Sequence, residues 1–186
     1  MTDKNIYKNN KAGKIIKTIA VSILFGILFT FVLSLIMGYK YKFVVTSSME
    51  PTYKTKSCII AVCPCDYQKD VKIGDVITWG AGKTTFTHRV VGQITKVVEG
   101  GYEWTDGETT YTNNITGNYK VGMWIARGDN PTISFDNIQA VNEKNFVGKV
   151  NYYSNFIGAI VNYIQTNLFL VIFCVIVIFI SSMIFL

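Results

Sequence analysis

The chain has 186 residues, of which 49% are hydrophobic and only 16% charged, a more apolar balance than that of an ordinary soluble domain. Its formal net charge of +6 does not point to nucleic acid, because residues 1–17 hold five lysines against one aspartate and leave only +2 on residues 18–186. The basicity is a tail, and the apolar excess sits at the two ends of the chain, which points to a membrane.

After that basic tail, residues 1–17, comes Thr18 to Met37, twenty residues without a charge. That is long enough to cross a hydrocarbon core of ~30 Å as a helix, and the lysines before it place the N-terminus in the cytoplasm. A cleavable signal peptide would have an apolar region of only ~7–15 residues, followed by a small-x-small site. Gly38-Tyr39-Lys40-Tyr41 follows instead, so residues 18–37 are expected to be a retained signal anchor.

Residues 38–155 are expected to form one extracytoplasmic domain that is mostly β, since no stretch there keeps a 3.6-residue apolar period. Tyr41 to Val45 reads as a strand, and Ser57 to Val62 as a buried one closed by Cys63-Pro64-Cys65-Asp66. Lys72-Ile73-Gly74-Asp75 reads as a turn into a strand from Val76 to Trp79. Gly80, Gly82 and Lys83 then make a hairpin loop into Thr84 to Ile94. Asp106-Gly107 is a strong two-residue hairpin signal between Tyr102, Trp104 and Thr109, Tyr111, and Val121 to Arg127 is another strand. Cys58, Cys63 and Cys65 lie where a disulfide is permitted, so free thiols and one bridge from Cys58 are both open. Tetrahedral zinc would want a fourth ligand. The single histidine has a better use, and no metal or cofactor is expected.

From Val150 to Leu186 no residue is charged. Phe156 to Asn167, interrupted by Asn and Gln, reads as an interfacial segment at residues 156–167, and Leu168 to Leu186 as a second membrane span. Two spans with both termini cytoplasmic is the expected layout.

The chemistry gathers around Thr46-Ser47-Ser48-Met49-Glu50-Pro51, where a strand delivers three hydroxyls to a proline that stops regular structure and pushes Glu50 out of the α region. A serine hydroxyl is a poor nucleophile until a base takes its proton. The chain supplies one histidine, His88, on the strand Thr84 to Ile94, and two candidate acids, Asp129 in Gly128-Asp129-Asn130-Pro131 and Asp136 beyond it. These are the parts of a Ser-His-Asp arrangement. Asp129 also reads simply as a turn residue bonding its own backbone.

Ser48-Met49-Glu50-Pro51, Gly74-Asp75-Val76-Ile77-Thr78-Trp79, Thr87-His88-Arg89-Val90-Val91 and Arg127-Gly128-Asp129-Asn130 resemble, in order and spacing, the boxes of type I signal peptidases. With histidine where the common bacterial enzymes have lysine, the chain is most similar to the endoplasmic-reticulum-like branch found in archaea, eukaryotes and some Gram-positive bacteria. The resemblance implies a signal-peptidase-like β fold and a membrane-bound serine endopeptidase. Ser48 would attack the scissile carbonyl, His88 would act as general base, and a carboxylate would hold the imidazole tautomer. It also implies that Thr46 and the N–H of Ser48 stabilise the oxyanion. The family's second aspartate stands six residues past the first, whereas Asp136 stands seven past Asp129; Asp136 is preferred as the acid. Lys83, in a glycine-containing loop, is the weaker candidate for a base.

The substrates implied are translocated secretory precursors, bound extended as an added strand and cut after small residues. Ser47, Met49, Val76 and Ile77 are candidates to line the pockets. The partners implied are these precursors, the lipid bilayer and accessory membrane subunits, without nucleic acid. Ser48 stands within ~35 Å of the bilayer even if the intervening chain is fully extended. Richness in Lys, Asn and Ile favours a bacterial plasma membrane. In a eukaryote the location would be the endoplasmic-reticulum membrane, with Asn114-Ile115-Thr116 as a glycan acceptor. The alternative from another class is a non-catalytic, membrane-anchored β domain that binds secreted chains or partner subunits.

Overall fold

Nothing in residues 3–36 breaks a helix, and the first proline of the chain is Pro51. In the computed structural model, which describes residues 3–132, 137–169, 172–173 and 176–177, the helix accordingly begins before the apolar run. Helix α1 covers Asp3–Ile36, so the lysine-rich residues 3–17 and the apolar run after them are one continuous helix. Its end is a Schellman motif: Gly38, at φ 83°, lets Gly38 N–H donate to Leu35 O and Tyr39 N–H donate to Ser34 O. Gly13–Ile36 is long and apolar enough to cross a membrane, and no other helix among the described residues is. The chain divides into two compact units, Met1–Tyr39 and Lys40–Leu186.

The second unit contains an antiparallel sheet, in keeping with the mostly β domain expected from the sequence. Its strands are β1 (Lys40–Phe43), β2 (Ile59–Cys63), β3 (Val76–Ala81), β4 (Thr84–Val98), β5 (Gly101–Thr105), β6 (Thr110–Asn113), β7 (Trp124–Arg127), β8 (Gln139–Val141) and β9 (Phe146–Ser154). The order across the sheet is β1-β2-β9-β3-β4-β5-β6, with β7 on β4 and β8 on β7. Strand β4 is the organiser. Its first half pairs with β3 and its last residues with β5, while Arg89 to Gln93 pairs β7 on the opposite edge. The Asp106-Gly107 hairpin forms between β5 and β6 as expected, with Asp106 accepting from the N–H groups of Glu108 and Thr109.

Strands β8 and β9 have no counterpart among the expected elements, yet β9 lies between β2 and β3 in the middle of the sheet. Gly148 and Lys149 interrupt its apolar alternation. Gly148 is also what lets it fit, since a Cβ there would stand 2.2 Å from Cys63 O. The residue that hides the strand in the sequence is the one that allows its close approach to β2.

Three apolar clusters fill the unit. One contains Tyr67, Ile77, Trp79, Val90, Trp124 and Val141; a second contains Met49, Tyr53, Cys58, Ile60, Val62 and Val76; a third forms around Tyr102, Trp104 and Ile125. Cys58, Cys63 and Cys65 are free thiols, and Cys58 is fully buried, so the bridge from Cys58 left open by the sequence is not formed. Among the described residues no three His, Cys, Asp or Glu side chains meet as a metal site.

The expected interfacial segment is helix α2, Asn155–Thr166, whose first turn is capped by Ser154 Oγ accepting from Ile157 N–H at 3.1 Å. Gly158 presses its backbone onto Ser57 and Cys58, while Phe156, Ile160 and Tyr163 remain exposed. Residues 168–169, 172–173 and 176–177 are helical, and the rest of the expected second span lies outside the described residues.

Candidate active site

Residues Ser47–Met49 form one 3-10 turn held between two extended residues, Thr46 and Glu50, the latter at φ −70° and ψ 146° as a residue before proline must be. Met49 is 2% exposed and anchors this turn in the second apolar cluster. Glu50 closes the following loop, its carboxylate accepting from Thr55 N–H at 3.0 Å and Thr55 Oγ1 at 2.6 Å. Those hydrogen bonds lower its pKa. Ser48 Oγ projects from the turn with Thr46 Oγ1 at 3.4 Å.

His88 enters from β4, paired across to Ile77. Its ring packs edge-on against Trp79 with centroids 5.7 Å apart, and only 8% of the residue is exposed. Burial lowers its pKa, partly opposed by the negative charge of Asp129, so at neutral pH the imidazole is the unprotonated form that a general base needs. Its Nδ1 is buried and has no hydrogen-bond partner among the described residues. Gln139 Oε1 is in the same condition.

Asp129 does not bond His88. Its carboxylate receives a two-pronged hydrogen bond from Arg89, Nε at 2.8 Å and Nη2 at 2.6 Å, and a third from Thr52 Oγ1 at 2.6 Å. Burial alone would raise the Asp129 pKa; the donors outweigh it and hold the carboxyl below its ordinary value. Arg89 also donates from Nη1 to Gly74 O at 2.8 Å. Next along the chain, Asn130 N–H donates to Ser48 O at 3.0 Å and Asn130 Nδ2 to Ser47 O at 2.9 Å. The four stretches singled out in the sequence therefore meet at one knot. Arg89 and Asp129 join the histidine strand to the loop after the serine, and Asn130 holds the serine turn by its carbonyls.

Thr46, Ser48, Met49 and His88 line one cavity of about 550 Å³. Its walls are residues 42–46 and 84–88, with Gly128, Asn137 and Gln139 completing it. Strand β1 pairs with β2 alone among the described strands, and Thr84 to His88 pairs with β3 alone. Each wall thus turns one strand edge without a partner strand toward the cleft. Such edges accept an extended peptide.

The other expected site residues are placed differently. Val76 and Ile77 are core residues, 7% and 0% exposed, and do not line the cavity. Consecutive on β3, they point to opposite faces, and both faces are buried: Val76 packs in the second apolar cluster and Ile77 in the first. Ser47 is exposed outside the cavity lining and serves through its carbonyl. Lys83 sits at the β3–β4 turn, also outside the lining. Asp136 lies outside the described residues. Arg89 and Asn130 belonged to stretches already noted without a role of their own; Thr52, Gln139 and Lys42 carried no sequence signal.

No protein-family model and no curated protein matches the chain.

Proposed function

We propose that this chain is a membrane-anchored serine endopeptidase of the type I signal-peptidase kind, which removes signal peptides from translocated secretory precursors at the outer face of a bacterial plasma membrane. The observation that carries the reading is the shared cavity: Ser48 and His88, far apart in sequence, line one cleft between strands β1 and β4, whose cleft-lining stretches each pair with a single described strand.

In this mechanism a precursor lies extended between the walls and His88 takes the Ser48 proton as Oγ attacks the scissile carbonyl. His88 then returns the proton to the leaving amine, and water hydrolyses the acyl-serine by the same route. Thr46 Oγ1 and the N–H of Ser48 are the donors for the oxyanion, and losing one would cost ~3 kcal/mol of transition-state stabilisation. Asp136 is the proposed acid, because Asp129 is committed to Arg89 and Thr52 and makes no hydrogen bond to His88. The unpartnered His88 Nδ1 is the atom such an acid would meet.

The test is cleavage of a secretory precursor in lipid or detergent by the wild-type chain, Ser48→Ala and His88→Ala, with precursor and product resolved on a gel. Cutting after a small residue, lost in both variants, is the expected result. Binding of precursor with no cutting would replace the proposal with a non-catalytic domain that binds secreted chains.

A further inference from the structure

Among the described side chains that line the cavity, Lys42 is the only lysine, arginine, aspartate or glutamate. It stands on β1, and its Nζ reaches across the cleft to Thr85 Oγ1 on β4 at 3.3 Å. One hydrogen bond thus ties the two walls together. No described carboxylate lies within ion-pairing distance of Lys42, so a neutral hydroxyl is its partner in a cleft whose nearby walls include Phe43, Val44 and Phe86.

Thr85 precedes His88 by three positions on one strand, which at ~3.3 Å per residue is ~10 Å. An extended peptide between the walls has the same rise, so the residue that meets Lys42 and Thr85 stands three or four positions from the bond facing Ser48. That peptide separates the ammonium from the hydroxyl. A carboxylate replaces the lost acceptor with a stronger, charge-assisted one. A second ammonium would set two like charges together at this solvent-exposed contact, where the repulsion is modest but has no counter-ion among the described residues to relieve it.

We propose that Lys42 and Thr85 form a charge-reading subsite, which takes an acidic or hydrogen-bond-accepting side chain three or four residues from the cut bond and rejects lysine and arginine there. The proposal rests on the endopeptidase reading of the site and adds a substrate class to it.

The experiment uses the full chain in detergent and fluorogenic peptides with a small-x-small cleavage site. Asp, Gln or Lys is placed singly at each position on both sides of the cut, and cleavage rates are paired with anisotropy binding to Ser48→Ala. The expected result is a preference for Asp over Lys of about fivefold at one position three or four residues from the cut. That preference vanishes in Lys42→Met and reverses in Lys42→Glu, a reversal that a merely structural lysine would not produce. Cleavage with no charge preference in any chain overturns the subsite and leaves the endopeptidase reading standing. Binding without cleavage, with a preference that Lys42→Glu reverses, upholds the subsite and sinks the endopeptidase reading. Neither binding nor cleavage overturns both.

Discussion

Replacing Asp129 by alanine tests whether this carboxylate holds the site together or acts on the histidine. Three donors converge on it, two from Arg89 and one from Thr52, and its side chain is 14% exposed against 35% for Arg89. Removing one member of a fully buried pair costs about 3–5 kcal/mol, but water can reach the partly open guanidinium, so ~2–3 kcal/mol is the expected loss. For a chain of this size that lowers the melting temperature by about 5–10 °C. Tryptophan fluorescence is the right probe, because Trp79, Trp104 and Trp124 all lie in the β unit. The pH dependence carries a second signature. A carboxyl whose folded pKa is depressed contributes stability above its unfolded value of ~3.9 and loses it as the pH falls through the folded value. The gap between wild type and Asp129→Ala should therefore be full at pH 7 and close in acid. If Asp129→Ala melts within about 1 °C of wild type at pH 7 yet no longer cuts precursor, the clamp reasoning is wrong and Asp129 is the acid that serves His88.

Two more outcomes follow from the same geometry. Burial lowers the His88 pKa while the negative charge of Asp129 raises it, so the acid limb of cleavage against pH should move lower in Asp129→Asn than in wild type; a limb that moves up or stays in place would contradict the action of the Asp129 charge on the imidazole. Gly158→Val should destabilise the β unit by about 1–3 kcal/mol in a thermal melt, since its Cβ would stand 2.4 Å from Ser57 O and 2.6 Å from Cys58 N; an unchanged melt would mean that α2 does not seat on that backbone.

Much of the sheet was legible because its strands announce themselves locally. Val76 to Trp79 and Thr84 to Ile94 are rich in β-branched and aromatic residues, with Gly80 and Gly82 marking the turn between them, and Asp106-Gly107 has few uses other than a hairpin. Strand β9 was not, because its place depends on β2. Gly148 weakens it as an isolated segment and is required only once Cys63 lies against it. The serine and histidine stood out by residue type, whereas Val76 and Ile77, expected to line pockets, are core residues, because β3 is covered on both faces and a run of β-favouring residues does not reveal what covers it.

The arrangement of Ser48 shows why the rest of the site is invisible in a linear reading. The neighbour that meets its hydroxyl locally is Thr46, at 3.4 Å. What fixes the turn comes from Asn130, 83 residues beyond Ser47, and what fixes the loop behind it comes from Asp129, 77 beyond Thr52. Asp129 is itself held by Arg89, 40 residues away on the strand that carries His88. A hydrogen bond over such a separation has to offset the loop-closure entropy of the chain between, and the pairing of β4 with β7 shortens that loop for Arg89 and Asp129. Nucleophile and base thus share one cleft through contacts between segments far apart in sequence, which no local stretch of the chain can display.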